Sequence, residues 1–179
     1  MAKMKAYQHF RVILTHKRWV GYFCFKMGLY KQGILHDISK FSPTEFWESA
    51  RYFTGTRSPI DLCKEVNGYS MCWLHHRGRN KHHWEYWVDN FEKGMTPIEI
   101  PKKYVIEMFC DFLGAGIAYS GGLDKFSIDS ELEWWYNKRK VVIMHDKTKA
   151  QLDKMFENLS ELNNVKEVSK NNILKGVEF

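Results

Sequence analysis

Gly33-Ile34-Leu35-His36-Asp37-Ile38-Ser39-Lys40-Phe41 places an adjacent His and Asp at the end of an apolar run and follows them with a Lys. A neutral imidazole and a carboxylate on successive residues can share one divalent cation, and a Lys three or four residues later can sit beside the same ion and hold a substrate anion. The same dipeptide also suits a surface turn that ends a helix. Where the other histidines and the inward aspartate fall decides between the two, so the chain is read outward from residue 36.

Upstream, apolar residues recur at helical spacing from Lys5 to about Met27, with Val12, Ile13, Val20, Phe23 and Met27 in one stripe and Gly28 as the stop. His9 and His16 lie on that stripe. Leu29 to Asp37 reads as a second, short helix that runs into the His-Asp pair.

Downstream, Ser42-Pro43-Thr44-Glu45 is a helix start, with Ser as cap, Pro at the first helical position and Glu three after the cap. Its helix should run to about Phe53. Ser58-Pro59 opens another, in which Leu62, Val66, Tyr69 and Trp73 form a stripe that continues onto His76, with a bend allowed at Gly68. Asn80 can cap a further helix with Trp84, Trp87, Val88 and Phe91 inward, which sets His83 beside the inner face and His82 nearer Glu85 and Asp89.

Gly94 to Pro101 reads as a connector. Pro101 begins a helix to about Tyr119, with Tyr104, Met108, Ala115 and Ala118 inward and Asp111 in the same stripe. A buried carboxylate needs a cation or a set of donors, so Asp111 either ligates a metal or pairs with an Arg or Lys. Ser130 to about Met144 and Lys147 to Leu162 read as two closing helices, and Asn163 onward as a polar tail that frays. No strand pattern, repeat or low-complexity tract stands out, so the class is all-α.

The 179 residues, 44% hydrophobic and 16% aromatic, suit one domain with a real core. We read residues 1–162 as that domain, with a metal-binding core at about 9–120 and closing helices at about 130–162, and 163–179 as the tail. No apolar run approaches a bilayer span and no signal-peptide pattern opens the chain, so a cytoplasmic protein with no membrane partner is expected. Cys24, Cys63, Cys72 and Cys110 are widely spaced, which suits reduced, buried thiols. The net charge of +6 is concentrated: residues 1–40 hold eight Lys/Arg against the single acid Asp37. Such an end either attracts phosphates or nucleic acid or is a solvated basic face.

In order, the inward ligand types are His16, His36-Asp37, His76, His83 and Asp111, each on or beside the apolar stripe of a different helix. Metal sites inside helical bundles are assembled in this way. Two His and two Asp can hold one divalent ion, and two further imidazoles leave room for a second. His75 and His82 are the reserves, since a one-residue error in phase exchanges them for His76 and His83. His9 and His145 read as core or surface residues.

This order over about residues 9–120 resembles the HD-domain superfamily, whose pattern is an early His, an adjacent His-Asp, optional middle histidines and a late Asp. His36 to Lys40 is similar to the HDxGK element of the HD-GYP phosphodiesterases, with Ser39 in place of Gly; the GYP tripeptide is missing, so hydrolysis of cyclic dinucleotides is not implied. The combination HDxSKFSPxEF (36–46) and HHxxxNxHHWEYW (75–87) most closely resembles a family of bacterial and phage proteins of unknown function. The resemblance implies an HD-like helical bundle with a metal site between helices, and His16, His36, Asp37 and Asp111 as primary ligands. It also implies one or two divalent ions (Mn, Fe, Ni, Zn or Mg) and hydrolysis of a small phosphorylated substrate by a metal-activated water.

Within that reading Lys40 contacts phosphate and belongs to the catalytic set. Glu107 either orients a ligand or serves as a base, or forms a plain helix ion pair. Arg77, Arg79 and Lys81 either clamp a substrate anion or form a solvated loop, and Trp73, Trp84 and Trp87 either stack on a nucleobase or fill the core. Two other expectations use the same residues: a di-iron oxygenase of the HD type, and a non-catalytic helical module that binds nucleic acid or protein around a structural metal.

Overall fold

The computed structural model describes residues 2–92 and 94–179, and the side chains of all of these except 2, 3, 90 and 91. The chain is an all-α bundle with one small hairpin, and no described helix is long and apolar enough to cross a membrane.

Helix α1 (Ala2–Lys26) buries His9, Ile13, His16, Val20 and Phe23 along one stripe, as helical spacing requires. It lies along α6 (Lys102–Ser120), the central helix, which is buried on nearly all sides from Val105 to Gly114. The two helices approach closely at Gly114, where a β-carbon would collide with Val20 and lie 3.0 Å from its amide nitrogen. That closeness sets His16 on α1 beside Asp111 on α6.

The short α2 (Tyr30–Leu35) folds back on α1 and delivers the His-Asp pair at its end. Helices α3 (Pro43–Tyr52) and α4 (Pro59–Asn67) start at the expected caps, Ser42 accepting from the Glu45 amide and Ser58 from that of Ile60. The expected stripe from Leu62 to Trp73 is not one helix. Gly68 takes a left-handed conformation (φ 80°) that ends α4, and Ser70 caps a new helix, α5 (Met71–Arg77). Val66 and Tyr69 are consequently exposed, while His76 on α5 still points inward.

The helix expected from Asn80 is absent. The segment makes a 3-10 turn at Trp84–Trp87 and then β1 (Val88–Phe91), which pairs antiparallel with β2 (Gly94–Pro97) in the register Val88↔Pro97 and Phe91↔Gly94. Two turns of helical spacing were too short a signal to tell a helix from this turn and hairpin. The Phe91 side chain, expected inward, lies outside the described residues.

Helix α7 (Ile128–Lys138) stops six residues before Met144, because Val141-Val142-Ile143 is a β-branched run of low helix propensity. Arg139, just past its end, is fixed by Asp153 on α8 (Asp146–Ser160) at 2.8 and 2.6 Å. The tail does not fray. Val165, Val168 and Ile173, the last on α9 (Lys170–Ile173), are buried in the same core as Phe109, Trp135 and Phe156. Asn158 donates to the carbonyls of Ile173 and Lys175, both at 2.8 Å. All four cysteines are free and buried.

Candidate metal centre

The chain delivers His36 and Asp37 to one point by a change of backbone conformation. His36 is extended (φ −48°, ψ 127°), and Asp37 is left-handed (φ 54°), the one non-glycine residue with positive φ among the described residues. Such a conformation costs about 1–3 kcal/mol and persists only where surrounding contacts impose it. Here Lys17, one residue after His16 on α1, donates its ammonium to the carbonyls of Ile34 (2.7 Å) and His36 (2.6 Å).

Four side chains from three elements meet in a first cluster: His16, His36, Asp37 and Asp111, all buried. His16 Nε2 lies 3.2 Å from Asp37 Oδ2 and 3.1 Å from Asp111 Oδ1, and His36 Nε2 lies 3.3 Å from each of the same oxygens. The two Nε2 atoms are themselves 3.3 Å apart. Lys40 reaches Asp37 Oδ2 at 2.6 Å.

A second cluster joins Asp37 to His76, His82 and His83. Asp37 Oδ1 is 3.3 Å from Nε2 of both His76 and His82, yet neither contact is aligned as a hydrogen bond. Asp37 Oδ1 and the three imidazole Nε2 atoms are all buried without a hydrogen-bond partner. Buried polar atoms are nearly always satisfied, so four that converge on one point fit a cation at that point. Asp37 thus offers one oxygen to each cluster.

Outer carboxylates fix the imidazole tautomers. Nδ1–H of His36 donates to Glu107 Oε1 (3.1 Å) and Nδ1–H of His76 to Glu45 Oε2 (2.7 Å), while Nδ1 of His82 lies 3.2 Å from the same Glu107 oxygen. Each pairing turns the Nε2 lone pair toward the clusters, the arrangement that metal-binding histidines usually have. Ser39 and Asn80 pack beside His76 Nδ1 and bond each other at 2.8 Å.

The electrostatics describe a site short of positive charge. Burial disfavours the charged forms of Asp37 and Asp111, but the imidazoles, with Lys40 on Asp37, hold both carboxyls well below the usual range. Burial likewise disfavours imidazolium at His36, and Asp37, Asp111 and Glu107 outweigh it and hold His36 well above the usual range. His83, buried beside His82 and His76, is pushed well below it and stays neutral. Protons on the imidazoles or a bound cation can neutralise the carboxylates, and the donor set of His and carboxylate suits a borderline divalent ion.

His16 and Asp111 of the first cluster and His76, His82 and His83 of the second line a cavity of about 270 Å³, as does Lys40. Aromatic side chains, among them Trp73, Trp84 and Trp134, form the opposite parts, and Lys64 and Lys138 also line it. A separate cavity of about 310 Å³ lies behind His36 and His82.

The structure brings together all six of the expected ligands, His16, His36, Asp37, His76, His83 and Asp111, and adds His82, which joins His83 because the two sit in a turn rather than on a helix. His75 stays out, partly exposed and bonded to Glu45 Oε1 at 2.6 Å. Glu107 stands behind the imidazoles and not in the first cavity. Arg79 and Lys81 line the second cavity, and Arg77 lines neither. Trp87 packs on Tyr104 and donates to the Lys81 carbonyl at 2.7 Å. His9 is buried between Phe46 and Phe53, where burial and then Lys40 push its pKa down to about 4, and His145 caps α8.

Sequence reading missed Glu45 and Lys17. Glu45 looked like a helix-start residue only, although it stands inside the HDxSKFSPxEF pattern; nothing marks Lys17 beyond its place next to His16.

No curated protein and no solved structure matches the chain. Residues 5–158, which include every member of both clusters, match a family of unknown function (DUF5662), and the chain belongs to that family.

Proposed function

We propose that the protein is a metal-dependent phosphohydrolase of HD-domain type, acting on a nucleotide or another small phosphorylated metabolite. One observation carries the reading: Asp37 offers an oxygen to each of two buried ligand clusters that face a common cavity. His16, His36, Asp37 and Asp111 would hold one divalent ion, and Asp37, His76, His82 and His83 a second. Such ions supply a water of lowered pKa and positive charge for phosphoryl oxygens.

The chain's own groups supply the rest. Lys40 carries its charge at the cavity wall beside Asp37 and can grip a phosphate oxygen. Glu107 and Glu45 keep the imidazoles turned with Nε2 toward the clusters. Trp73 and Trp84 give the non-reacting part of a substrate a dry wall. The shared carboxylate and the three imidazoles of the second cluster also suit two irons, which favours an HD-type oxygenase as the second reading.

The test is metal content by inductively coupled plasma mass spectrometry, with turnover of p-nitrophenyl phosphate and bis-p-nitrophenyl phosphate. Wild type and the shape-conserving Asp37→Asn are compared, purified without chelator or polyhistidine tag. The proposal expects one to two metals per wild-type chain and chelator-sensitive hydrolysis, both reduced in the variant. Iron with oxygen uptake and no hydrolysis selects the oxygenase. No metal in wild type, even after reconstitution, ends both readings.

A further inference from the structure

The second cavity carries an inference that does not depend on hydrolysis. Its walls come from α2, from the Arg79–Lys81 loop and from the first turns of α6, and four cations line it: Lys31, Arg79, Lys81 and Lys103. The one acid in the lining is Glu107, so the lining totals four positive charges against one negative. None of the four cations forms an ion pair among the described residues. Four like charges gathered around one hollow with a single acid repel one another, and an anion relieves that cost. Lys103 lies over the Tyr104 ring at 4.9 Å, and Tyr104 also lines the cavity, which keeps this ammonium at its edge.

We propose that this cavity is a binding site for a small polyanion bearing two or more phosphate groups, distinct from the cavity that Lys40 faces. A single phosphate cannot meet four cations spread around about 310 Å³, whereas linked phosphates can engage guanidinium and ammonium groups together. The ligand sits beside Glu107, whose Oε1 accepts from His36 and lies 3.2 Å from His82 Nδ1. It therefore binds one carboxylate away from both clusters.

The experiment is calorimetric titration of inorganic tripolyphosphate into the full chain after metal removal by chelator and dialysis, with folding checked by circular dichroism. Saturable binding is expected, weakened about tenfold or more in Lys31→Met/Arg79→Met and in Lys81→Met/Lys103→Met. Lys64→Met/Lys138→Met, in the other cavity, and Lys166→Met/Lys175→Met, on exposed surface elsewhere, should bind like wild type. Absence of binding to wild type overturns the proposal. A loss in Lys64→Met/Lys138→Met as large as in the cavity variants also overturns it, because the anion then sits in the first cavity. An equal loss in Lys166→Met/Lys175→Met does the same, because net charge alone then accounts for binding.

Discussion

The ammonium of Lys17 donates to the carbonyl oxygen of His36 at 2.6 Å, and through that bond α1 sets the backbone on which the His-Asp pair stands. The same ammonium holds the Ile34 carbonyl, so it takes up two acceptors at the end of α2 while Asp37 turns left-handed. Removal of the charge should release Asp37 toward a commoner conformation and spread the ligands of both clusters. Lys17→Met is expected to weaken metal binding about 10–100-fold, as loss of an outer partner typically does. Lys17→Arg, which keeps a donor of the same charge, should recover most of it. Metal affinity is read by competition with a chelating dye. A Lys17→Met protein that melts earlier but binds metal like wild type would reduce Lys17 to a helix clasp.

Glu107 Oε1 accepts from His36 of the first cluster and lies 3.2 Å from Nδ1 of His82 in the second, so a single substitution should act on both. Glu107→Gln keeps the shape but puts neutral amide oxygen or an N–H where the imidazoles need a charged acceptor. Affinity at both clusters is expected to fall by about tenfold or more. Anomalous scattering from crystals soaked in manganese would show occupancy lost at two positions. Loss confined to one position would mean that the other imidazole finds its orientation elsewhere.

His82 and His75 give opposite expectations although each is half of a His-His pair. His82→Ala removes a buried nitrogen from the second cluster and should lower metal content toward one per chain. His75→Ala removes a partly exposed ring bonded to Glu45, and metal content should stay at the wild-type value. If His75→Ala lost as much metal as His82→Ala, the second cluster would have to include the Glu45 pairing.

Which parts of this were legible in the sequence follows from the range of each signal. The six residues that meet in the clusters were readable as inward His and Asp because each lies on or beside an apolar stripe, and burial of a His or Asp is itself a signal once the stripe is long. His82 ranked only as a reserve because a helical phase was assigned to a stretch of only two turns, and the residues behind it went into a 3-10 turn and a hairpin. Glu45 and Lys17 act on atoms far away in sequence, the 31-residue step to His76 and the 19-residue step to His36, and no local pattern encodes such contacts. The tail looked polar, but Val165, Val168 and Ile173 suffice to dock it, and Asn158 reads its backbone from α8.

The clusters also fix how metal affinity depends on pH. In the metal-free chain His36 and His82 are held above the usual imidazole range, burial opposing and the carboxylates prevailing. They therefore keep a proton to higher pH than a free imidazole does, and a metal that takes Nε2 must expel it. Affinity should rise with pH above about 6.5, roughly tenfold per unit for each proton released. Calorimetry at pH 7 in buffers of different ionisation enthalpy should count one or two protons released per metal bound. Heats that do not depend on the buffer would mean that the imidazoles are neutral before metal arrives.

Glu131 on α7 predicts a stability change of its own, away from the ligands. Its side chain is buried, a β-carbon on Gly116 of α6 would collide with its Oε2, and no hydrogen bond to its carboxyl is found among the described residues. Burial, and then the charge of Asp111, push its pKa up to about 8. Below about pH 4.5 the acid is neutral in folded and unfolded chains alike and costs nothing. As pH rises from there toward 8 the unfolded chain ionises first, so the folded state loses stability at up to about 1.4 kcal/mol per unit. Glu131→Gln keeps the shape and removes the titration. Urea unfolding of metal-free protein should therefore find the variant equal to wild type near pH 4.5 and more stable by roughly 1–4 kcal/mol at pH 7.5. A stability difference that stays constant across that range would mean that Glu131 is already charged in the fold and has a partner there.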